Sequence, residues 1–232
     1  MIEPPTLPRR LCSEAFGTFC LVFAGTGAVV VNQITDGAVT HVGVSLTFGL
    51  VVMGLIYSLG NVSGCHINPA VTLGLWAAGR FQWSMVWPYI GSQCVGAILA
   101  SGTLRLLFPE SSTLGATAPA GSAFQSLALE LVLTLILMFV ILSMDASSST
   151  QRMLAGIVVG GVIGLEALFA GPVSGASMNP ARSLAPAMVS MHLDSVWIYI
   201  VAPIIGALAS VPLCRCIHSS PCCRSGEPKE CA

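Results

Sequence analysis

Charged side chains are scarce in this sequence. Asp, Glu, Lys and Arg make up 8% of its 232 residues, whereas hydrophobic residues make up 54%. A soluble domain carries roughly 25% charged residues, so the composition excludes a soluble globular domain and predicts an integral membrane protein. The formal net charge of −1 provides no basic surface, and we expect no nucleic acid partner.

The sequence also lacks the residue groupings of enzymes and metalloproteins. No nucleophile–base pair is evident, and within the apolar segments only Cys65 and His66 stand together as metal ligands would. We therefore expect no enzyme activity, no metal site and no cofactor, and we expect His66 to be a packed, hydrogen-bonded side chain. The first eight residues have neither an apolar core nor a small-residue cleavage site, so they are interpreted as a tail and not as a signal peptide.

Six apolar segments account for most of the chain, and membrane lipid is their expected surrounding. At a rise of about 1.5 Å per residue, each can cross a hydrocarbon core about 30 Å thick. They are predicted at 11–34, 42–59, 84–107, 124–144, 153–170 and 195–217.

One motif, Ser-Gly-x-x-x-Asn-Pro-Ala, occurs twice, at 63–70 and at 174–181. In each copy an Asn stands at a helix N-cap and a Pro follows at the first helical position, where its missing N–H has no intrahelical partner to lose. The helices that begin after Asn68 and Asn179 are predicted at 69–78 and 180–189, about half the length of a span. We expect both amide hydrogens of each Asn to remain free as donors, because capping uses only the side-chain oxygen.

A second pattern relates the two halves of the chain. Glu-x-x-x-Thr occurs in the first span at Glu14 and in the fourth span at Glu130. Each half then holds three spans and one half-span, and because three is odd the second half must be inserted upside down. The sequence predicts an all-α membrane protein built as an inverted repeat, with its functional site near the midplane. Its repeats are placed at 11–107 and 124–217 of a single domain, 11–217, between tails at 1–10 and 218–232.

The positions of Lys and Arg predict the orientation. Basic residues in connections and tails concentrate on one side of the predicted spans, and Arg105 alone lies on the other, which places both termini in the cytoplasm. We also expect the protein to lie in the plasma (cell inner) membrane. Arg182 is left out of this comparison because it lies at membrane depth, where a charge is costly and indicates function. The basic residues on the cytoplasmic side are Arg9, Arg10, Arg80, Arg152, Arg215, Arg224 and Lys229.

The paired Asn-Pro-Ala motifs, the continuation of the second into Arg182 and the Glu of the first and fourth spans resemble the aquaporin (major intrinsic protein) family. The resemblance covers about 11–217. Residues 168–187 are most similar to the Nod26-like and aquaglyceroporin-type branches, and the surroundings of Phe48 are similar to water-selective bacterial members. The resemblance implies a six-helix bundle with two re-entrant half-helices, one pore per subunit, and a homotetramer.

The resemblance also implies roles for individual residues. The pore motifs fall on Asn68, Pro69, Ala70, Asn179, Pro180 and Ala181, and Glu14 and Glu130 become supports of the loop backbones. The selectivity filter falls on Phe48, Ala167, Ala176 and Arg182. Residues of the two non-helical loops are expected to line the pore with backbone carbonyls, namely Gly64, Cys65, His66, Gly175, Ala176 and Ser177.

The filter residues predict the permeating solutes. Water-selective relatives place His at the position of Ala167 and typically Thr or Cys at that of Ala176, so two alanines predict a wider aperture with one apolar wall. We expect a passive channel for water and small uncharged solutes, of the glycerol, ammonia, or boric or arsenous acid type, that excludes ions and protons. One alternative is a strictly water-selective channel, if Phe48 or Glu166 fills the space of the missing His. A more distant alternative is a secondary transporter, because inverted repeats with broken helices serve both classes.

Three features remain open at this level. Glu14 and Glu130 could be proton relays, although their repeat symmetry favours a structural role, and Glu166 is expected to be protonated or hydrogen-bonded. The nine cysteines do not suggest disulfides, because those of the tail fall on the side predicted to be reducing. Zinc binding or acylation at 214–223 is an alternative, although the spacing there is not a standard zinc pattern.

Overall fold

The computed structural model describes residues 4–144 and 148–218, and within these ranges all regular structure is helical. The cysteines and basic residues predicted in the tail beyond residue 218 lie outside the described residues. Among the described residues, six helices are long and apolar enough to cross a membrane and two are short, as the sequence predicted. The helices are α1 (Leu7–Ile34), α2 (Thr40–Ser63), α3 (Pro69–Ala77), α4 (Trp83–Leu107), α5 (Ala123–Ser143), α6 (Ser149–Ser174), α7 (Pro180–Ser190) and α8 (Val196–Ile217).

The two helices that precede the motifs are longer than their apolar segments predicted. The segments 42–59 and 153–170 belong to α2 and α6, which end at Ser63 and Ser174. Each helix stops at a glycine in the left-handed conformation, with φ of 85° at Gly64 and 89° at Gly175. Such a glycine C-cap ends a helix without a Cβ penalty, so both motifs start directly from the end of a membrane-crossing helix.

Helices from opposite halves of the chain pack closely on one another. In the α2–α6 pair, a Cβ on Gly49 would lie 2.7 Å from the Gly160 carbonyl oxygen, and one on Gly160 would lie 2.5 Å from that of Gly49. Backbones approach this closely only where both residues are small, as in membrane helix pairs generally. The α2–α6 contact is therefore a fixed point of the bundle.

The two short helices meet at the centre of the bundle. Helix α3 packs mainly on α8, and α7 packs mainly on α4, so each short helix is held by a long helix of the opposite half. The N-termini of α3 and α7 then face one another, and with them the positive ends of both helix dipoles. Large apolar side chains on the outer faces stay exposed, for example Phe16 at 57% and Leu99 at 59%, as expected of a lipid-facing surface.

Candidate functional site

The two Asn residues cap the short helices with their side-chain oxygens. Asn68 Oδ1 accepts the backbone N–H of Ala70 at 2.8 Å, and Asn179 Oδ1 accepts those of Ala181 at 3.0 Å and Arg182 at 3.3 Å. Both Asn backbones are extended, as N-cap residues are. The pattern Asn-Pro-Ala therefore fixes both the start of each short helix and the direction of each amide group.

The expectation that both amide hydrogens of each Asn stay free is wrong. Asn68 Nδ2 donates to the Met178 carbonyl oxygen at 2.8 Å, and Asn179 Nδ2 donates to that of Ile67 at 2.9 Å. Each Asn thus uses one hydrogen to hold the loop of the opposite half, because a carbonyl buried this deep needs a donor. Each Asn side-chain amide has a second hydrogen, which is not used in this bond.

Both loops carry non-glycine residues in the left-handed conformation. In the first loop φ is 50° at Cys65 and 44° at Ile67, and in the second it is 42° at Ala176 and 53° at Met178. Such residues cost of order 1–3 kcal/mol each and persist only where the surroundings enforce them. The enforcing groups are two buried glutamates.

Glu14 and Glu130 act as equivalent anchors for these loops. Glu14 accepts the backbone N–H groups of His66 at 2.9 Å and Ile67 at 2.7 Å. Glu130 accepts those of Ser177 and Met178, both at 2.8 Å. A carboxylate with two oxygens can accept several donors at once, so one side chain holds two consecutive N–H groups of strained backbone.

Each glutamate and the loop it holds make further hydrogen bonds, which sequence reasoning did not identify. Ser63 and Ser174 each donate a hydroxyl to the glutamate of their own half, at 2.7 and 2.8 Å. Tyr89 donates to the Ser63 carbonyl at 2.9 Å, and Tyr199 donates to that of Ser174 at 2.6 Å. The sequence does contain a signal for these bonds. The separation between Ser63 and Ser174, like that between Tyr89 and Tyr199, nearly equals the separation between the two Asn residues.

A cavity of about 170 Å³ runs between the two halves and is lined by residues of both. A site that holds one water needs roughly 10–15 Å³ of such volume, so this cavity has room for a file of water molecules. Asn68 and Asn179 lie on its wall, together with Met144 at the end of α5, Ala155 near the start of α6 and Phe48 in α2. The cavity therefore passes the meeting point of the two short helices.

All four residues of the predicted filter line this cavity. Arg182 is 3% exposed and donates through Nη1 to the Gly115 carbonyl at 2.9 Å. Its guanidinium carbon lies 5.1 Å from the centre of the Phe48 ring, within cation–π range. Ala167 and Ala176 contribute only methyl groups, so the charged and aromatic walls face two small apolar ones.

The predicted loop residues divide between the cavity wall and its support. Gly64, Cys65, His66 and Ser177 line the cavity together with Ala176, whereas Gly175 lies outside it. Gly175 belongs to the cap of α6, where its N–H donates to Gly171 and a Cβ would lie 2.8 Å from a methyl of Thr117. The residues that follow the Asn in each motif are buried behind the wall, namely Pro69, Ala70, Pro180 and Ala181.

The side chain of His66 is packed among polar and aromatic neighbours of the first half of the chain. Its Nδ1 lies 3.1 Å from Thr72 Oγ1, and its ring contacts those of Phe81 and Tyr89, with centres 4.6 and 5.1 Å away. The hydroxyl of Thr72 also accepts Gln93 Nε2 at 3.0 Å. Thr72, Phe81 and Tyr89 therefore hold the imidazole of His66 in place.

Glu166 does not occupy the space beside Ala167. It is absent from the residues that line the cavity, is 1% exposed, and neither of its carboxyl oxygens has a hydrogen-bond partner among the described residues. The side chain is therefore packed between helices and leaves the aperture at Ala167 open.

The chain is similar to known proteins over most of its length. The sequence profile described as Major intrinsic protein matches residues 1–213. Aquaporin NIP1-1 of Oryza sativa subsp. japonica is 48% identical over 202 residues, which are 87% of this chain and 71% of that protein. The probable aquaporin NIP-type of Nicotiana alata is 46% identical over 213 residues, which are 91% of this chain and 78% of that protein.

A solved structure has the same architecture. The aquaglyceroporin from Plasmodium falciparum matches with a TM-score of 0.79 at 25% sequence identity. The match covers 90% of this chain and 95% of that one.

Proposed function

Because the chain belongs to the major intrinsic protein family, whose members are channels and not enzymes, we propose that it is a passive channel for water and small uncharged solutes. The proposed solutes besides water are glycerol, ammonia, and neutral boric or arsenous acid. The observation that carries the solute range is the wall at Ala167, which presents a methyl group to the cavity while Glu166 is packed elsewhere. A filter of this kind selects by its diameter and by the groups that line it.

The same residues account for the exclusion of ions and protons in this proposal. The positive ends of two helix dipoles and the amides of Asn68 and Asn179 meet at the centre of the cavity. They hold the oxygen of a passing water and repel cations. Arg182 adds a fixed positive charge at the filter and still offers donors to solute hydroxyl oxygens.

Orientation and assembly are also part of the proposal. We place both termini in the cytoplasm of a plasma membrane protein, supported by the excess of Lys and Arg in the connections and tails on that side. The family resemblance supports a homotetramer in which residues 11–217 of each subunit form one channel domain with its own pore. The tails at 1–10 and 218–232 then lie in the cytoplasm.

Stopped-flow swelling of proteoliposomes tests the solute range. The protein should increase permeability to water and also to glycerol, urea and boric acid over that of empty liposomes. A protein that increases water permeability alone would be the strictly water-selective channel of the alternative hypothesis.

Transport should follow the solute gradient alone. We expect net glycerol flux to cease when the two solute concentrations are equal, because the described residues that line the cavity offer neutral donors and a fixed Arg182 but no cage for a coupling ion. The measurement is radiolabelled glycerol uptake into proteoliposomes with and without an imposed proton or sodium gradient. Accumulation above the external concentration would instead identify a secondary transporter.

A thiol reagent should block the pore from one side. Cys65 lies on the cavity wall near the proposed cytoplasmic end and is 7% exposed, so a mercurial attached to it would occupy the path of the solute. We expect water permeability to fall when the mercurial is applied from the cytoplasmic side. The variant Cys65→Ser should lose this sensitivity, and equal inhibition of that variant would mean that another thiol reacts. Cys94→Ser, which removes a cysteine outside the cavity, is the matched control.

A further inference from the structure

The last turns of α6 contain a backbone carbonyl whose normal partner is missing. In an α-helix the Leu168 carbonyl would accept the N–H of residue 172, but that residue is a proline within the helix and has no N–H. The Leu168 carbonyl is a strong acceptor, so it needs a donor from outside its own helix.

A histidine from another helix supplies the missing donor. His41, in the first turn of α2, places Nε2 2.7 Å from the Leu168 carbonyl oxygen. A carbonyl oxygen can only accept, so Nε2 carries the hydrogen in this contact. The bond joins residues 127 positions apart in the sequence and links α2 to α6.

The backbone of α6 leaves room for this imidazole. A Cβ placed on Gly171 would lie 2.8 Å from Cε1 of His41 and 3.6 Å from its Nε2. A contact below 3.0 Å would displace the ring, so the absence of a side chain at Gly171 is what lets His41 reach the carbonyl. Gly171, Pro172 and His41 therefore form one arrangement.

This arrangement lies next to the filter on both helices. Leu168 directly follows Ala167, and Phe48 follows His41 by seven residues, about two helical turns, on the same face of α2. The close contact between Gly49 and Gly160 fixes the same two helices at a second level. Along each helix, the filter residue lies between the His41–Leu168 hydrogen bond and the Gly49–Gly160 contact.

We propose that His41 is a positioning residue for the selectivity filter. By pairing the Leu168 carbonyl it holds the end of α6 against α2, and so it sets how far the Ala167 wall stands from Phe48 and Arg182. This inference rests on the proposed channel function, and it makes the size limit of the permeating solute depend on a residue that does not line the cavity.

The test compares the ratio of glycerol to water permeability in proteoliposomes. We expect His41→Ala to raise the ratio about fivefold, the factor that corresponds to one neutral hydrogen bond, because the freed end of α6 moves outward. His41→Phe, which keeps a ring but has no donor, should act like Ala, whereas His41→Gln should restore the ratio through its amide hydrogens. His192→Ala is the matched control, since the ring of this exposed histidine bonds to Ser190, two residues away.

A double-mutant cycle distinguishes positioning from a general loss of structure. Pro172→Ala restores an N–H to α6, so the Leu168 carbonyl no longer depends on His41. In that background His41→Ala should change the ratio less than about twofold, and the difference between the two backgrounds is the coupling. Gly171→Ala, which displaces the ring without altering it, should reproduce the effect of His41→Ala.

Two results would overturn the proposal. One is an unchanged ratio in both His41→Ala and His41→Phe, and the other is an effect of the same size in the Pro172→Ala background. If the wild-type protein excludes glycerol, the proposed function fails on its own, and the pairing is then judged by thermal unfolding in detergent. His41→Ala should lower Tm in the wild-type background and not in the Pro172→Ala background, and equal losses in both would refute the pairing.

Discussion

Replacing Ala167 by His should abolish most solute permeation and leave water permeation in place. The methyl group of Ala167 lines the cavity opposite the Arg182 and Phe48 walls, and an imidazole at that position would fill part of the aperture. A solute that must pass the added ring would meet a barrier of roughly 1–3 kcal/mol, by analogy with the cost of forcing extra volume into a filled space. As a barrier to passage this corresponds to about a 5- to 150-fold lower permeability, and it applies to glycerol and boric acid more than to the smaller water molecule.

Stopped-flow measurements on the same proteoliposome preparations can test this directly. A matched control is Leu165→His, which adds the same ring to an outward-facing position of α6 that is 61% exposed. Glycerol permeability that is unaffected by Ala167→His would show that the aperture is set elsewhere, and the wide-filter proposal would fail. A parallel loss of water permeability would show that the added ring blocks the pore instead of tuning it.

Removing the Glu130 carboxyl should strongly destabilise the folded protein. Glu130 is fully buried and accepts the Ser174 hydroxyl and the N–H groups of Ser177 and Met178. Each buried donor left unpaired costs about 1–3 kcal/mol, so Glu130→Ala should lower the free energy of unfolding by about 3 kcal/mol or more. Native proteins commonly have a free energy of unfolding of only about 5–15 kcal/mol, so this loss is a large share of the total stability.

Thermal unfolding in detergent measures this loss, and the folded yield after purification gives a second readout. Glu130→Gln should fall between the wild type and Glu130→Ala, because the amide keeps one acceptor oxygen but turns a donor toward the loop N–H groups. Glu110→Ala, a change at an exposed loop carboxylate, is the control. A Tm for Glu130→Ala that matches this control would mean that the second loop keeps its conformation without the carboxylate.

The fold could be predicted from the sequence because its signals are local and repeated. Apolar segments of membrane length gave the six long helices, and two copies of Asn-Pro-Ala gave the two short ones. Helix ends were less predictable. The fifth span is predicted to end at Ala170, yet α6 continues through Gly171 and Pro172 to Ser174. The donor that makes this continuation tolerable is His41, which lies 127 residues from Leu168 in the sequence.

Local patterns could place the candidate site but could not show how its groups share their hydrogen bonds. The N-cap pattern predicts where the Asn68 oxygen goes, whereas its amide donates to Met178, which no neighbouring residue specifies. Gln93 is a comparable case, since it donates to both Glu14 and Thr72 from a different helix. A lone Gln inside an apolar span was the available signal, because buried polar groups in membranes normally have a defined partner.

The reciprocal bonds of the two Asn residues also set the order in which the pore can come into existence during synthesis. The partner of the Asn68 amide is the Met178 carbonyl, 110 residues further along the chain, and the partner of the Ile67 carbonyl is the Asn179 amide, 112 residues further along. At about 5–20 residues per second, a ribosome needs roughly 5–25 seconds to make that stretch. Throughout that interval the first loop can bond to Glu14 but has no opposite loop to pair with. The nascent chain therefore crosses the membrane several times before a conducting path can form.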